Sequence, residues 1–171
     1  MPFATPAEHL EFRQLAEIYA HAVDRRQPEL FELIATDDIS IIGPSFQAHG
    51  LKEVQGIPAM LSARYLATRH AVHNILVTIE GDTAQGSLIC TADHLWRNAD
   101  GGFEQVRWYL RYEDEFARLA EGWRFRTRRV RVDWSDEVEV PWVSGQDLPL
   151  ARLPGNGDQP RAGHILERAR G

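Results

Sequence analysis

The chain has 171 residues, 43% of them hydrophobic and 26% charged, a composition that suits one globular domain large enough to bury a core. Its net charge of −6 argues against nucleic acid or an anionic membrane as a partner. A lone cysteine, Cys90, excludes an intrachain disulfide framework and fits a reducing cytoplasm.

No run approaches the roughly 18 apolar residues that span a bilayer, and no basic flank leads into an apolar run, so neither a membrane anchor nor a signal peptide is expected. P-loop, GxGxxG, CxxC and HExxH spacings are all missing, which gives no reason to expect a metal or an organic cofactor. Taken in order, the chain opens with a capping box, Thr5-Pro6-Ala7-Glu8, with proline at the first helical position. Phe12, Leu15, Ala16, Tyr19, Ala22 and Val23 follow at helical spacing and form one apolar stripe. The helix ends near Asp24-Arg25-Arg26. Asp24 there faces the unfavourable end of the helix dipole, at a cost of about 0.3–1 kcal/mol, and is either a surface residue or one held for a purpose.

Pro28 starts a second short helix with Leu30, Phe31, Leu33 and Ile34. Ile39 to Ile42 and Phe46 to His49 are two short strands joined by Gly43-Pro44-Ser45. An interrupted helical stretch runs from Gly50 to about Tyr65, broken near Gly56 and Pro58. Its Met60, Leu61, Tyr65 and Leu66 suit the cover of a sheet edge or the end of a cavity. Four long strands follow, from about Thr68 to Glu80, Thr83 to Arg97, Phe103 to Leu119 and Gly122 to Trp134. The turns between them, Gly81-Asp82, Ala99 to Gly102 and Ala120 to Gly122, predict antiparallel hairpins. Helices followed by a meander give an α+β domain over residues 1–134. Residues 135–171 carry Pro141, Pro149, Pro154 and Pro160 and little apolar periodicity. This tail is either disordered or laid across a neighbouring subunit through Val140, Trp142, Leu148 and Leu150.

Strict alternation along the first long strand puts Thr68, His70, Val72, Asn74 and Leu76 on one face, and Arg69, Ala71, His73 and Ile75 on the other. A histidine on a largely apolar face is either a satisfied core residue or a base facing a pocket. On the last strand the same rule sets Arg128 beside Arg126, Val130 and Val132, with much of the arginine run exposed and paired with Glu113, Asp114 and Glu115. His94 shares a face with Leu88, Cys90 and Trp96, where packing and catalysis are equally open readings. Because the long strands are apolar on both faces and only one can be interior, a homodimer or homotrimer is expected.

The segments YAHAVDRRQPELFELI, TRHAVHNILV and YEDEFARLAEGWRFRTRRV together resemble the SnoaL-like branch of the nuclear transport factor 2-like superfamily, over roughly residues 5–134. That resemblance implies a cone-shaped, curved antiparallel sheet closed by the N-terminal helices. Scytalone dehydratase, bile acid 7α-dehydratase and hexachlorocyclohexane dehydrochlorinase belong to this branch. They use an aspartate ending the first helix and a histidine beginning the first long strand, which Asp24 and His70 match. By the same resemblance Tyr19 and Arg128 are catalytic candidates and His94 and Tyr112 line the substrate site, to which the alternation of the first long strand adds Asn74 beside His70. Leu110 and Tyr112 stand about where scytalone dehydratase has a serine and an asparagine, so its own substrate is not carried over.

These residue types also suit the chemistry on its own terms. Removing a proton from carbon near neutral pH calls for a base such as histidine. A carboxylate on its other nitrogen fixes the tautomer and stabilises the imidazolium, and a phenol or guanidinium can steady an oxyanion or a leaving group. Three function classes follow. The first is a cofactor-free lyase or isomerase for a hydrophobic, aromatic or polycyclic small molecule, acting by dehydration, dehydrohalogenation, enolisation or retro-aldol cleavage. The second is the non-catalytic small subunit of a ring-hydroxylating dioxygenase, which carries a similar TRHxxxN strand. The third is a ligand-binding module.

Overall fold

The computed structural model describes residues 2–141, so the expected tail lies outside the described residues from Trp142 onward. Helix α1 spans Pro6–Asp24 and begins with the expected capping box: Glu8 N–H donates to Thr5 Oγ1 at 3.4 Å, and Thr5 N–H donates to Glu8 Oε2 at 3.0 Å. A 3-10 turn, Pro28–Leu33, leads into β1, Ala35–Ile42, and β2, Gln47–His49. Two short helices, α2 (Leu51–Val54) and α3 (Ile57–Ser62), precede the long strands β3 (Ala67–Glu80), β4 (Thr83–Arg97), β5 (Phe103–Leu119) and β6 (Gly122–Val140). Strand β6 thus runs past Trp134 and stays paired with β5 as far as Val140 opposite Phe103. No helix among the described residues is long and apolar enough to cross a membrane.

One curved sheet of six strands has the order β2-β1-β6-β5-β4-β3 and does not close into a barrel. The meander β3 to β6 is antiparallel throughout, as its turns require. The expectation of an all-antiparallel sheet needs one correction. Strand β1 joins β6 in parallel, with Ile41 opposite Arg128. No hairpin links these two strands, so no turn dictates their relative direction. The sequence marks hairpins and is silent about pairings of long range.

Helix α1 packs its apolar stripe on the concave face. Phe12 is fully buried, 4.7 Å from the Phe116 ring and 5.1 Å from Trp123. Burying a side chain of that size contributes about 1.5–3 kcal/mol. Glu11 fixes the helix to the β5–β6 turn by accepting from Trp123 N–H at 2.9 Å. Gly122 makes that contact possible: its φ is +113°, and a Cβ there would lie 2.6 Å from the Glu11 carboxylate. The chain therefore enters β6 with its register already set against α1.

Two of the irregularities in the meander decide which side chains face inward near the site. Between Val72 and Ile75, β3 carries one residue more than its partner, a bulge of His73 and Asn74 opposite Ile89. Another bulge inserts Arg126 into β6 opposite the Glu115–Phe116 step. Each bulge reverses the alternation beyond it. Ile75 and Val77 turn inward while Leu76 becomes exposed, and Arg126 points outward to Asp38 at 3.6 Å, away from the face of Arg128. The outer face of the sheet carries cross-strand ion pairs such as Arg107–Asp93 and Arg111–Asp133, each worth little on an exposed surface. It also carries exposed Leu76, Ile89, Trp134 and Val138.

Candidate active site

The first regular stretch of β3 positions His70. Opposite it stands Ala92, and the small alanine leaves the imidazole room on the concave face. Helix α1 ends against the same stretch and delivers Asp24. The His70 Nδ1 to Asp24 Oδ1 distance is 2.7 Å, and His70 N–H donates to Asp24 Oδ2 at 2.7 Å. Thr68, two residues earlier on the same face, donates its hydroxyl to Asp24 Oδ1 at 2.8 Å. Asp24 is thereby satisfied at a helix end where the dipole alone would disfavour it.

The His70 side chain is 8% exposed and that of Asp24 17%, so the pair is shielded yet reachable. Desolvation works to raise the Asp24 carboxyl. The hydrogen bonds and charge of His70, with the Thr68 hydroxyl, outweigh it and hold the group below the usual carboxylate value. Asp24 is therefore an anion at neutral pH and can only accept. The geometry then places the His70 proton on Nδ1 and leaves Nε2 with its lone pair.

Aromatic rings enclose the pair. Tyr19 lies on the inner stripe of α1 with its ring 6.3 Å from His70 and 5.8 Å from Tyr112. Burial pushes its phenol up to about 12, so it stays protonated as a potential donor. His94 on β4 has its ring 6.1 Å from His70, between Tyr65 at 4.7 Å and Trp108 at 4.5 Å. Burial, with the nearby charge of His70, drops His94 to about 3, so its imidazole is neutral at any ordinary working pH. Among the described residues its Nδ1 is buried without a hydrogen-bond partner, as is Trp108 Nε1.

Arg128 is 1% exposed and donates from Nε and Nη2 to both oxygens of Asp114, at 2.8 and 2.7 Å. Its guanidinium carbon lies 4.2 Å from the Tyr19 ring centre and 4.0 Å from that of Tyr112. Desolvation opposes its charge, but the Asp114 carboxylate more than compensates and Arg128 keeps its proton. Among the described residues Nη1 finds no partner. Arg128 thus reaches the Tyr19 side of the site as half of a neutral ion pair, and its pairing with Asp114 is buried where an exposed pairing is the expectation for much of the run. The exposed pairing expected for the arginine run fits Arg129 with Glu115 and Arg131 with Glu113.

The structure therefore brings together Tyr19, Asp24, His70, His94, Tyr112 and Arg128. It separates Asn74, which the bulge carries to the exposed side of β3, and that residue is withdrawn from the site. His73, bonded to Thr91 Oγ1 at 2.8 Å, lies on the outer face as alternation required. Sequence reasoning missed Thr68, Trp108 and the inward pairing of Asp114. Thr68 was signalled by its spacing of two from His70. Trp108 was signalled by its register opposite Ala92. Among the described residues no three His, Cys, Asp or Glu side chains cluster as metal ligands.

Residues 6–129 match the family model of the SnoaL-like domain. An uncharacterised protein of Mycobacterium tuberculosis is 27% identical over 132 residues, covering 74% of this chain and 85% of the relative. Among solved structures, a candidate scytalone dehydratase of Novosphingobium aromaticivorans superimposes with a TM-score of 0.67 at 18% identity, covering 89% of this chain and 96% of its own. Hexachlorocyclohexane dehydrochlorinase type 3 of Novosphingobium barchaimii gives 0.69 at 16% identity, covering 81% and 95%. At such identities the two superpositions establish the fold alone.

Proposed function

The chain belongs to the SnoaL-like domain family, part of the nuclear transport factor 2-like superfamily, and from that premise we propose that it is a cofactor-free lyase or isomerase acting on a hydrophobic, aromatic or polycyclic small molecule. The observation carrying this reading is the 2.7 Å contact between His70 Nδ1 and Asp24 Oδ1 in an aromatic enclosure. A base needs a free lone pair, and this contact leaves one on Nε2. His70 takes a proton from carbon, and Asp24 stabilises the imidazolium that results. The electron pair left on carbon forms a double bond. In an elimination a hydroxyl or halide departs, and the imidazolium proton goes to the departing hydroxyl to release water, or to solvent when a halide leaves. In an isomerisation it returns to a different carbon.

The remaining groups have roles that fit this scheme. The protonated Tyr19 donates to a developing oxyanion or a leaving group. His94 Nδ1, Trp108 Nε1 and Arg128 Nη1 have no partner among the described residues and suit the oxygens of a partly polar substrate. Asp24 anchored on His70 also favours catalysis over the reading as a dioxygenase small subunit, which has no use for an activated base. The test is to screen the chelator-treated, dialysed protein against oxygenated and halogenated polycyclic compounds by absorbance. Turnover should survive chelation. Turnover lost on chelation and restored by one divalent ion would overturn the cofactor-free reading.

The proposal extends to assembly as a homodimer or homotrimer through the outer sheet face. Its support is the exposure of Leu76, Ile89, Trp134 and Val138 on that face, of which Trp134 is 61% exposed. Light scattering should report two or three copies at micromolar concentration, and Trp134→Glu should lower the measured mass. A wild-type monomer would contradict this.

A further inference from the structure

Arg26 adopts a left-handed backbone, with φ of +58°, in the motif that ends α1. Gln27 N–H donates to Ala22 O at 3.0 Å and Arg26 N–H to Val23 O at 3.4 Å, the paired bonds of a helix stop that normally selects glycine. The side chain offers a reason for arginine there. It folds back over the helix end, and Nη1 donates to Val23 O at 3.0 Å and to Thr68 Oγ1 at 3.4 Å. Nε and Nη2 are buried without partners among the described residues, so the guanidinium gives up hydrogen bonds to water in holding this position.

We propose that Thr68 and Arg26 are positioning residues for the His70–Asp24 pair, ordering the hydrogen bonds that keep the His70 proton on Nδ1. The argument follows from what each group can do. A guanidinium has donors only, so the Thr68 oxygen must accept from Arg26. The single hydroxyl proton of Thr68 is then directed at Asp24 Oδ1, 2.8 Å away. Asp24 receives donors on both oxygens, two of them converging on Oδ1. A carboxylate held in that way cannot rotate and has no proton to give. His70 must present Nδ1–H to it and keep Nε2 open. Without the Thr68 hydroxyl, the Arg26 guanidinium is free to turn directly onto Asp24 and compete with Nδ1.

This inference rests on His70 acting as the base, and its test separates the two claims. Nitrogen-15 NMR of histidine-labelled, substrate-free protein at pH 8.5 reads the tautomer of His70. The wild type should show Nδ1–H almost alone. Thr68→Val should raise the Nε2–H fraction roughly fivefold, the effect of losing one hydrogen bond, and lower kcat as far as the Nδ1–H fraction falls, with KM little changed. Thr68→Ser keeps the hydroxyl and should restore both. Arg26→Gly, which suits the left-handed backbone, should shift the tautomer in the same direction without lowering Tm. An unchanged tautomer in both Thr68→Val and Arg26→Gly, or no recovery in Thr68→Ser, would overturn the proposal. Should Thr68→Val fail to fold, Thr68→Ser and Arg26→Gly decide it alone. A shifted tautomer combined with normal turnover in His70→Ala would instead remove the catalytic reading and leave the positioning intact.

Discussion

Asp24→Asn should lower turnover by roughly 10²- to 10⁴-fold, and His70→Ala by at least as much. The asparagine keeps the shape of the aspartate but brings an amide that can donate, so it no longer demands Nδ1–H from His70. It also loses the charge that stabilises the imidazolium. The alanine removes the base outright. The double variant should be scarcely worse than either single one, because the two groups work as a unit through one 2.7 Å contact. Steady-state kinetics on the first compound that the protein turns over gives the four rates, and Tm checks that the fold persists. Additive losses in the double variant would mean that the two side chains act separately.

The second large effect concerns stability. Arg128 and Asp114 are each 1% exposed at the side chain and pair through two hydrogen bonds under the rings of Tyr19 and Tyr112. Removing one partner leaves an uncompensated charge in the core. Arg128→Met and Asp114→Leu should each cost about 3–5 kcal/mol in chemical denaturation, a large share of a typical domain's total. Replacing both together leaves no charge behind, and the double variant should recover most of that loss. If the double variant is as unstable as the sum of the singles, the pair contributes through packing and cation–π contact with the tyrosines, and the electrostatic account fails. The pairing also explains why Arg128 is poorly suited to be a free cation in the site. Among the described residues only Nη1 is left without a partner and able to meet a ligand.

Much of the fold was legible in the sequence because its signals are local. The capping box set the start of α1, the turn residues set the four long strands, and the apolar stripe set the inner face of α1. The Asp24–His70 contact joins residues 46 positions apart and was reached through resemblance, since no local pattern links a helix end to a strand start. What escaped was long-range or irregular. Nothing in residues 35–42 announces a parallel pairing with β6. Bulges leave no mark in an alternation count, so Asn74 and Arg126 were assigned to the wrong faces. The inward pairing of Arg128 with Asp114 depends on the β5–β6 register after the Arg126 bulge, and that register is fixed far away, at the Gly122 turn against Glu11.

The central claim is that His70 removes a proton from carbon. With a substrate deuterated at the carbon that loses its hydrogen, loss of deuterium from that carbon, to water or to a new carbon, measures that step by itself. The wild type should lose it there in step with turnover, and His70→Ala should lose it no faster than the uncatalysed reaction. Deuterium lost from that carbon in His70→Ala at the wild-type rate, or turnover by the wild type with the deuterium still on that carbon, would contradict the account.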